Sequence, residues 1–197
     1  AEYVRDLKAG EIIQIDEDVI RTGEIKSYSI EKKPETKHCI FEYIYFSRPD
    51  STIFGNTVDK VRRKLGKNLS IEKPAPKANI EDKKVVVISV PDSSNTAALG
   101  YVTETIKKNP YVKLELGLIR SHYIGRTFIQ PGQDNREIKV KSKFNTVKSV
   151  LKGRIVVIVD DSIVRGTTAK QLVKLVKEAG PKEIHLRITS PPIISPC

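Results

Sequence analysis

Two adjacent carboxylates, Asp160 and Asp161, leave the aliphatic run "IVVIV" and enter "SIVRGTT", a string of small and hydroxylated residues around Gly166. A helix that begins near Thr167 would offer unpaired backbone N–H groups and the positive end of its dipole. Gly166 lets a backbone come close, and Ser162, Thr167 and Thr168 add hydroxyl donors. Together these make a cradle for a phosphate. Carboxylates repel phosphate, so Asp160 and Asp161 must face something else: sugar hydroxyls, a divalent cation, or both. The combination fits a molecule with a phosphate next to a diol, such as a ribose 5-phosphate. An isolated Asp-Asp pair would more often cap a turn, and the cradle on its flank argues against that reading. A magnesium-bearing strand aspartate of a nucleotidase would need G-x-x-x-x-G-K-[ST], which the chain lacks, and G-x-G-x-x-G is absent as well.

The elements around the pair repeat one pattern. "VVVISV" (residues 85–90) and "IVVIV" (155–159) are short continuous apolar runs, as expected of strands buried on both faces of a parallel sheet. Each leads through a polar turn into helical spacing: Ala98, Leu99, Val102 and Ile106 after "PDSS", and Leu172, Val173 and Val176 after "RGTT". The second helix should stop at Gly180-Pro181, and "EIHLRIT" (183–189) reads as another strand. Strand–loop–helix units of this kind predict an α/β fold, a mostly parallel sheet flanked by helices with right-handed crossovers. Ligands then sit at the carboxyl ends of the strands, here residues 92–94 and 160–168. Upstream, a helix is expected over 58–71. "CIFEYIYFSRPDS" (39–51) alternates as a strand would, with Ile40, Glu42, Ile44 and Phe46 on one side and Phe41, Tyr43 and Tyr45 on the other; Tyr43 and Tyr45 are expected in the core. Residues 1–38 read as a β-rich connector of short strands broken at Gly10 and Gly23, followed by a polar linker at Pro34.

"VVIVDDSIVRGTT" resembles the phosphoribosyl pyrophosphate (PRPP) signature of type I phosphoribosyltransferases. In this form it is most similar to their amidophosphoribosyltransferase branch, as are "CIFEYIYFSRPDS", "VPDSSNTAALGY", "GLIRSHYIGRTFIQP" and "SPPIISPC". The resemblance implies a type I phosphoribosyltransferase fold over residues 39–197, truncated at its C-terminus. It implies that Asp160 and Asp161 hold the ribose hydroxyls and help bind Mg2+, and that Ser162, Ile163, Val164, Arg165, Gly166, Thr167 and Thr168 enclose the 5-phosphate. Asp92, Ser93 and Ser94 would form the pyrophosphate-side loop, with Ser93 near the metal. Residues 123–130 would begin a flap that closes over PRPP, with Tyr123 and Arg126 as catalytic residues and Arg126 stabilising the departing pyrophosphate. The implied reaction is attack of ammonia on C1 of PRPP, the committed step of purine synthesis, in a cytoplasmic enzyme that forms homo-oligomers.

The sequence departs from the family pattern at several points. Family members carry an N-terminal glutaminase domain with a terminal cysteine, whereas this chain opens on Ala1 and contains no Met; it is expected to be a fragment whose glutaminase acts in cis or in trans. Arg120-Ser121-His122 stands where Lys-Asn-Arg is usual, so His122 fits a surface loop as well as a ligand position. Cys39 and Cys197 match two of the four cysteines on which some members hold a [4Fe-4S] cluster; two separate thiols are the plainer reading. Two cysteines are too few for a disulfide framework.

Composition narrows the field further. No apolar run approaches the roughly 20 residues that span a bilayer, and no signal peptide is visible, so no membrane partner is expected. The net charge of +11 is concentrated in residues 107–154, with 12 Lys/Arg against 3 Asp/Glu. That suits a polyphosphate or nucleic acid, but no helix-turn-helix, zinc or RNA-binding signature accompanies it, so no nucleic-acid partner is expected. Two alternatives remain on sequence grounds: a nucleobase phosphoribosyltransferase and a PRPP-binding regulator of the same fold.

Overall fold

The computed structural model describes residues 3, 5–30, 37–77, 85–121 and 143–194. The chain divides into two compact units, Ala1–Cys39 and Ile40–Cys197.

In the first unit β1 (Glu11–Gln14) pairs antiparallel with β2 (Lys26–Ser29), and a helix, α1 (Glu17–Thr22), lies between them. The reading of residues 1–38 as short strands did not include this helix. The physical cause is local: the Asp16 carboxylate accepts from the Val19 N–H, acidic Glu17 and Asp18 occupy the first turn, and Arg21 the last. Gly23 ends the helix at φ 75°, where its N–H reaches the Val19 carbonyl. A Cβ there would meet nothing within 4 Å. Gly23→Ala should therefore carry only the backbone cost, about 1 kcal/mol, read as a lower urea midpoint for this unit.

The second unit is built on a four-stranded parallel sheet in the order β6–β5–β9–β10, from Lys113–Leu114, Val85–Ser89, Ile155–Asp160 and Glu183–Ile188. Both faces of the central strands are covered. Val86, Ile88, Val156 and Ile158 pack with Leu172 and Val176 of α5 (Thr167–Glu178), whereas Val85, Val87, Val157 and Val159 pack with Ala98, Tyr101 and Val102 of α3 (Asn95–Thr105). Burial on two faces is why these strands read as unbroken apolar runs. The helix α2 (Val58–Glu72) lies against α3, following a short pair of strands, β3 (Thr52–Ile53) and β4 (Asn56–Thr57). A further antiparallel pair, β7 (Leu118–Arg120) and β8 (Phe144–Thr146), precedes the single turn α4 (Lys148–Leu151).

The strand expected over residues 39–51 is not formed. Glu42–Phe46 is instead a π-helical turn closed by the Ser47 N–H on the Glu42 carbonyl at 3.1 Å. Ile44 is buried, Tyr43 is half-buried with its hydroxyl on the Ile53 carbonyl, and Tyr45 is exposed, so the core assignment fails for Tyr45. Aromatic alternation describes a surface that suits a sheet, but a strand also needs a neighbouring ladder. Here the Tyr43 and Ser47 carbonyls find a buried arginine instead.

Candidate functional site

The site lies at the carboxyl ends of β5 and β9. The ladder continues past the ends of β5 and β10: Val90 N–H donates to the Val159 carbonyl, Thr189 N–H to that of Asp160, and Ser190 N–H to that of Asp161. The backbone carrying both carboxylates is thus held on each side. Asp160 Oδ1 accepts from the Asp161 N–H at 2.9 Å and from the Ser94 hydroxyl at 3.2 Å, and Asp161 Oδ1 accepts from the Ser162 hydroxyl at 2.7 Å. Asp161 is buried. Burial first, and the Asp161 charge second, push the Asp160 carboxyl up to about 6, against the lowering effect of its two hydrogen bonds. Two such groups side by side favour a shared cation, a diol that donates to them, or a proton.

The loop after β5 supplies the opposite wall. Its Pro91–Asp92 peptide is cis. Ser94 is fully buried, and its hydroxyl is directed at Asp160 rather than outward. Asp92 is exposed and forms an ion pair of 2.8 Å with Arg120 at the end of β7. Beside Arg120, burial and then the Arg120 charge lower the Lys143 ammonium from its usual value. Residues 162–168 form the third wall. Gly166, at φ 69°, enters α5, whose first turn has no side-chain cap, and the Lys170 N–H makes the first helical bond to the Gly166 carbonyl. Ile163, Val164, Arg165, Thr167 and Thr168 are exposed around it, and Ser162 is half-buried. The uncapped N–H groups and the left-handed glycine are what a bound phosphate requires.

The residues singled out at 92–94 and 160–168 are therefore brought together, with Ser94 linking the two loops. Tyr123, Arg126 and His122 lie outside the described residues, as does Cys197; Cys39 is a free, exposed thiol. Sequence reasoning missed Arg62. This α2 side chain is only 3% exposed, and it donates to the carbonyls of Tyr43 (2.6 Å) and Ser47 (2.8 Å) and, at 3.5 Å, of Ser93. Its signal was position: Val58, Arg62, Gly66 and Ser70 follow one another at four-residue spacing and are all buried.

Among the described residues no group of three or more His, Cys, Asp or Glu side chains could hold a metal ion. Asp160 and Asp161 alone suit a hard cation that takes its other ligands from substrate oxygens and water, as Mg2+ commonly does.

Residues 77–189, more than half of the chain, match the phosphoribosyl transferase domain. The chain belongs to this family. Across its whole length it is 48% identical to the chloroplastic amidophosphoribosyltransferase of Glycine max, of which it covers 32%. It is 46% identical to the amidophosphoribosyltransferase of Archaeoglobus fulgidus, of which it covers 39%. Among solved structures, the glutamine PRPP amidotransferase from B. subtilis complexed with ADP and GMP aligns with 99% of this chain at 44% identity and a TM-score of 0.75, the chain covering 39% of it. The chain thus spans about a third to two fifths of the length of these relatives. The likeness shows the type I phosphoribosyltransferase fold, with the parallel sheet flanked by helices. No helix among the described residues is long and apolar enough to cross a membrane.

Proposed function

We propose that this chain carries the synthase half of an amidophosphoribosyltransferase, converting PRPP and ammonia to 5-phosphoribosylamine and pyrophosphate in purine biosynthesis. The observation that carries the reading is the placement of the Asp160–Asp161 pair between the 92–94 loop and the uncapped start of α5, in a chain similar over its full length to amidophosphoribosyltransferases. The C1–N bond forms as the C1–O bond to pyrophosphate breaks, and ammonia gives up a proton. No protein nucleophile is needed.

In this reading Asp160 and Asp161 fix the ribose hydroxyls and, with Ser93, help to hold Mg2+, which would neutralise the leaving pyrophosphate. Residues 162–168 orient the 5-phosphate through backbone N–H groups and hydroxyls. Arg120, already paired with Asp92, is a cation at the rim of the pyrophosphate side, and Arg126 and Tyr123 complete the proposed set. Ammonia would come from a glutaminase domain, and a cytoplasmic location goes with the reading.

The test is phosphorus NMR of PRPP and Mg2+ with the full natural chain, with and without ammonium at mildly alkaline pH. Pyrophosphate should appear only with ammonium. The Asp160→Asn/Asp161→Asn double variant should lose roughly a hundredfold or more in rate, since the sugar is no longer held in line. Intact PRPP in the presence of ammonium, or release independent of ammonium, would overturn the reading.

A further inference from the structure

Among the described residues, the catalytic reading leaves one buried charge unused. Arg62 projects from α2 into the space between the π-helical turn and the loop after β5, and it is 3% exposed. A guanidinium removed from water must be matched by acceptors or by opposite charge. Arg62 has both. Its Nε–H donates to the Tyr43 carbonyl at 2.6 Å and one terminal nitrogen to the Ser47 carbonyl at 2.8 Å. The other terminal nitrogen points at the Ser93 carbonyl at 3.5 Å, and the buried Asp161 is its favourable electrostatic neighbour. Three segments therefore meet at one planar fork, the π-helical turn, the residue that closes it and the pyrophosphate-side loop, with the Asp161 charge as a favourable influence.

We infer that Arg62 is a positioning residue for PRPP, holding the 92–94 loop in register with the Asp160–Asp161 pair by bracing it against the turn at Glu42–Phe46. The inference rests on the PRPP reading of the site. The two short bonds anchor the fork to the turn, which leaves the third nitrogen fixed in direction. The Ser93 contact, at 3.5 Å, is the longest of the three and so the one most sensitive to movement of the 92–94 loop. The neighbouring residue, Ser94, is tied to Asp160 through its hydroxyl, so the loop is held at Ser94 by the carboxylate and at Ser93 by Arg62. The π-helical turn is then explained as well: a strand over residues 42–46 would direct carbonyls to a ladder, whereas the wider turn frees the Tyr43 carbonyl for Arg62. Arg62 donates to the carbonyls of Tyr43, Ser47 and Ser93 and to no residue of the cradle at 162–168, so its main effect should fall on the pyrophosphate half.

Arg62→Lys keeps the charge beside Asp161 and removes the fork, which a single ammonium cannot reproduce. In the full natural chain with Mg2+, calorimetric titration should show PRPP affinity reduced by about tenfold, and ribose 5-phosphate affinity within about twofold of the parent. Equal weakening of both ligands alongside a lower melting temperature would mean general structural damage and would overturn the inference, as would unchanged PRPP affinity. If the parent binds neither ligand, the PRPP reading has failed rather than the role of Arg62. Should Arg62→Lys not fold, amide exchange on the parent decides. PRPP with Mg2+ should slow exchange at both Ser94 and Ser47, whereas ribose 5-phosphate should leave Ser47 unchanged. Protection confined to Ser94 would exclude the brace.

Discussion

Asp160→Asn should melt above the parent at pH 7.5 and bind PRPP far more weakly. The Asp160 carboxyl sits at about 6 in the folded chain, raised from an ordinary value of 3.8, chiefly by burial and then by the charge of Asp161. A raised folded value means that the native state holds the proton more tightly than the unfolded one. The resulting stability is fully present below about pH 4 and is lost as the pH rises through 6. At pH 7.5 both states are ionised and the native state bears the difference, on the order of 3 kcal/mol. Asparagine keeps an acceptor for the Asp161 N–H and the Ser94 hydroxyl without the charge. Thermal melts of parent and variant should therefore coincide near pH 4 and separate by several degrees at pH 7.5. Added Mg2+ should raise the parent and leave the variant unmoved. A variant that is less stable than the parent at pH 7.5 would show that the two hydrogen bonds outweigh burial, and that the carboxylate is not held at a cost.

The same separation between what stabilises the chain and what it needs for ligands decides how much was legible in its sequence. Residues 85–89 and 155–160 were readable because a doubly covered strand has no polar face to disguise it, and the carboxyl ends of those strands follow from the fold class. Residues 160–168 stood out because small and hydroxylated residues follow two carboxylates in an unbroken string, and the structure places them at the carboxyl end of β9 and the start of α5. The π-helical turn at Glu42–Phe46 was hidden, since its alternating aromatics satisfy a strand pattern equally well. What chose between the two was a donor some 19 residues away in the chain, Arg62 on the Tyr43 carbonyl. α1 is too short for a hydrophobic period to show, although Asp16 and Gly23 bracketed it. In each missed case the deciding quantity was where a backbone carbonyl or N–H finds its partner, which apolar patterning does not report.

Gly66→Ala, the second large effect, should unfold the chain's second unit at much lower urea and weaken PRPP binding before it does so. α2 and α3 meet backbone to backbone: a Cβ on Gly66 would stand 1.9 Å from the Ala97 carbonyl oxygen and 2.9 Å from the Tyr101 nitrogen, and one on Gly100 would stand 2.2 Å from the Arg63 carbonyl oxygen. None of these atoms can swing aside as a side chain would. The helices would have to part by roughly 1.5 Å to reach ordinary contact. Parting them strains the buried Ser70–Thr105 hydroxyl pair, 2.8 Å apart on the same face. Alanine's better helix propensity returns about 1 kcal/mol, so a net loss of ~3 kcal/mol is expected, read as the fall in urea midpoint. Asn68→Ala, at an exposed position on the same helix, is the control and should be neutral or slightly stabilising. The functional consequence follows from sequence order. Arg62 is one turn before Gly66, and Ser93 lies just ahead of the first turn of α3, so the movement that relieves the clash also lengthens a contact already at 3.5 Å. PRPP affinity measured well below the unfolding transition should therefore fall with Gly66→Ala even where the chain is still fully folded. A variant within about 1 kcal/mol of the parent, with unchanged PRPP affinity, would show that the helix pair can slide without disturbing the loop.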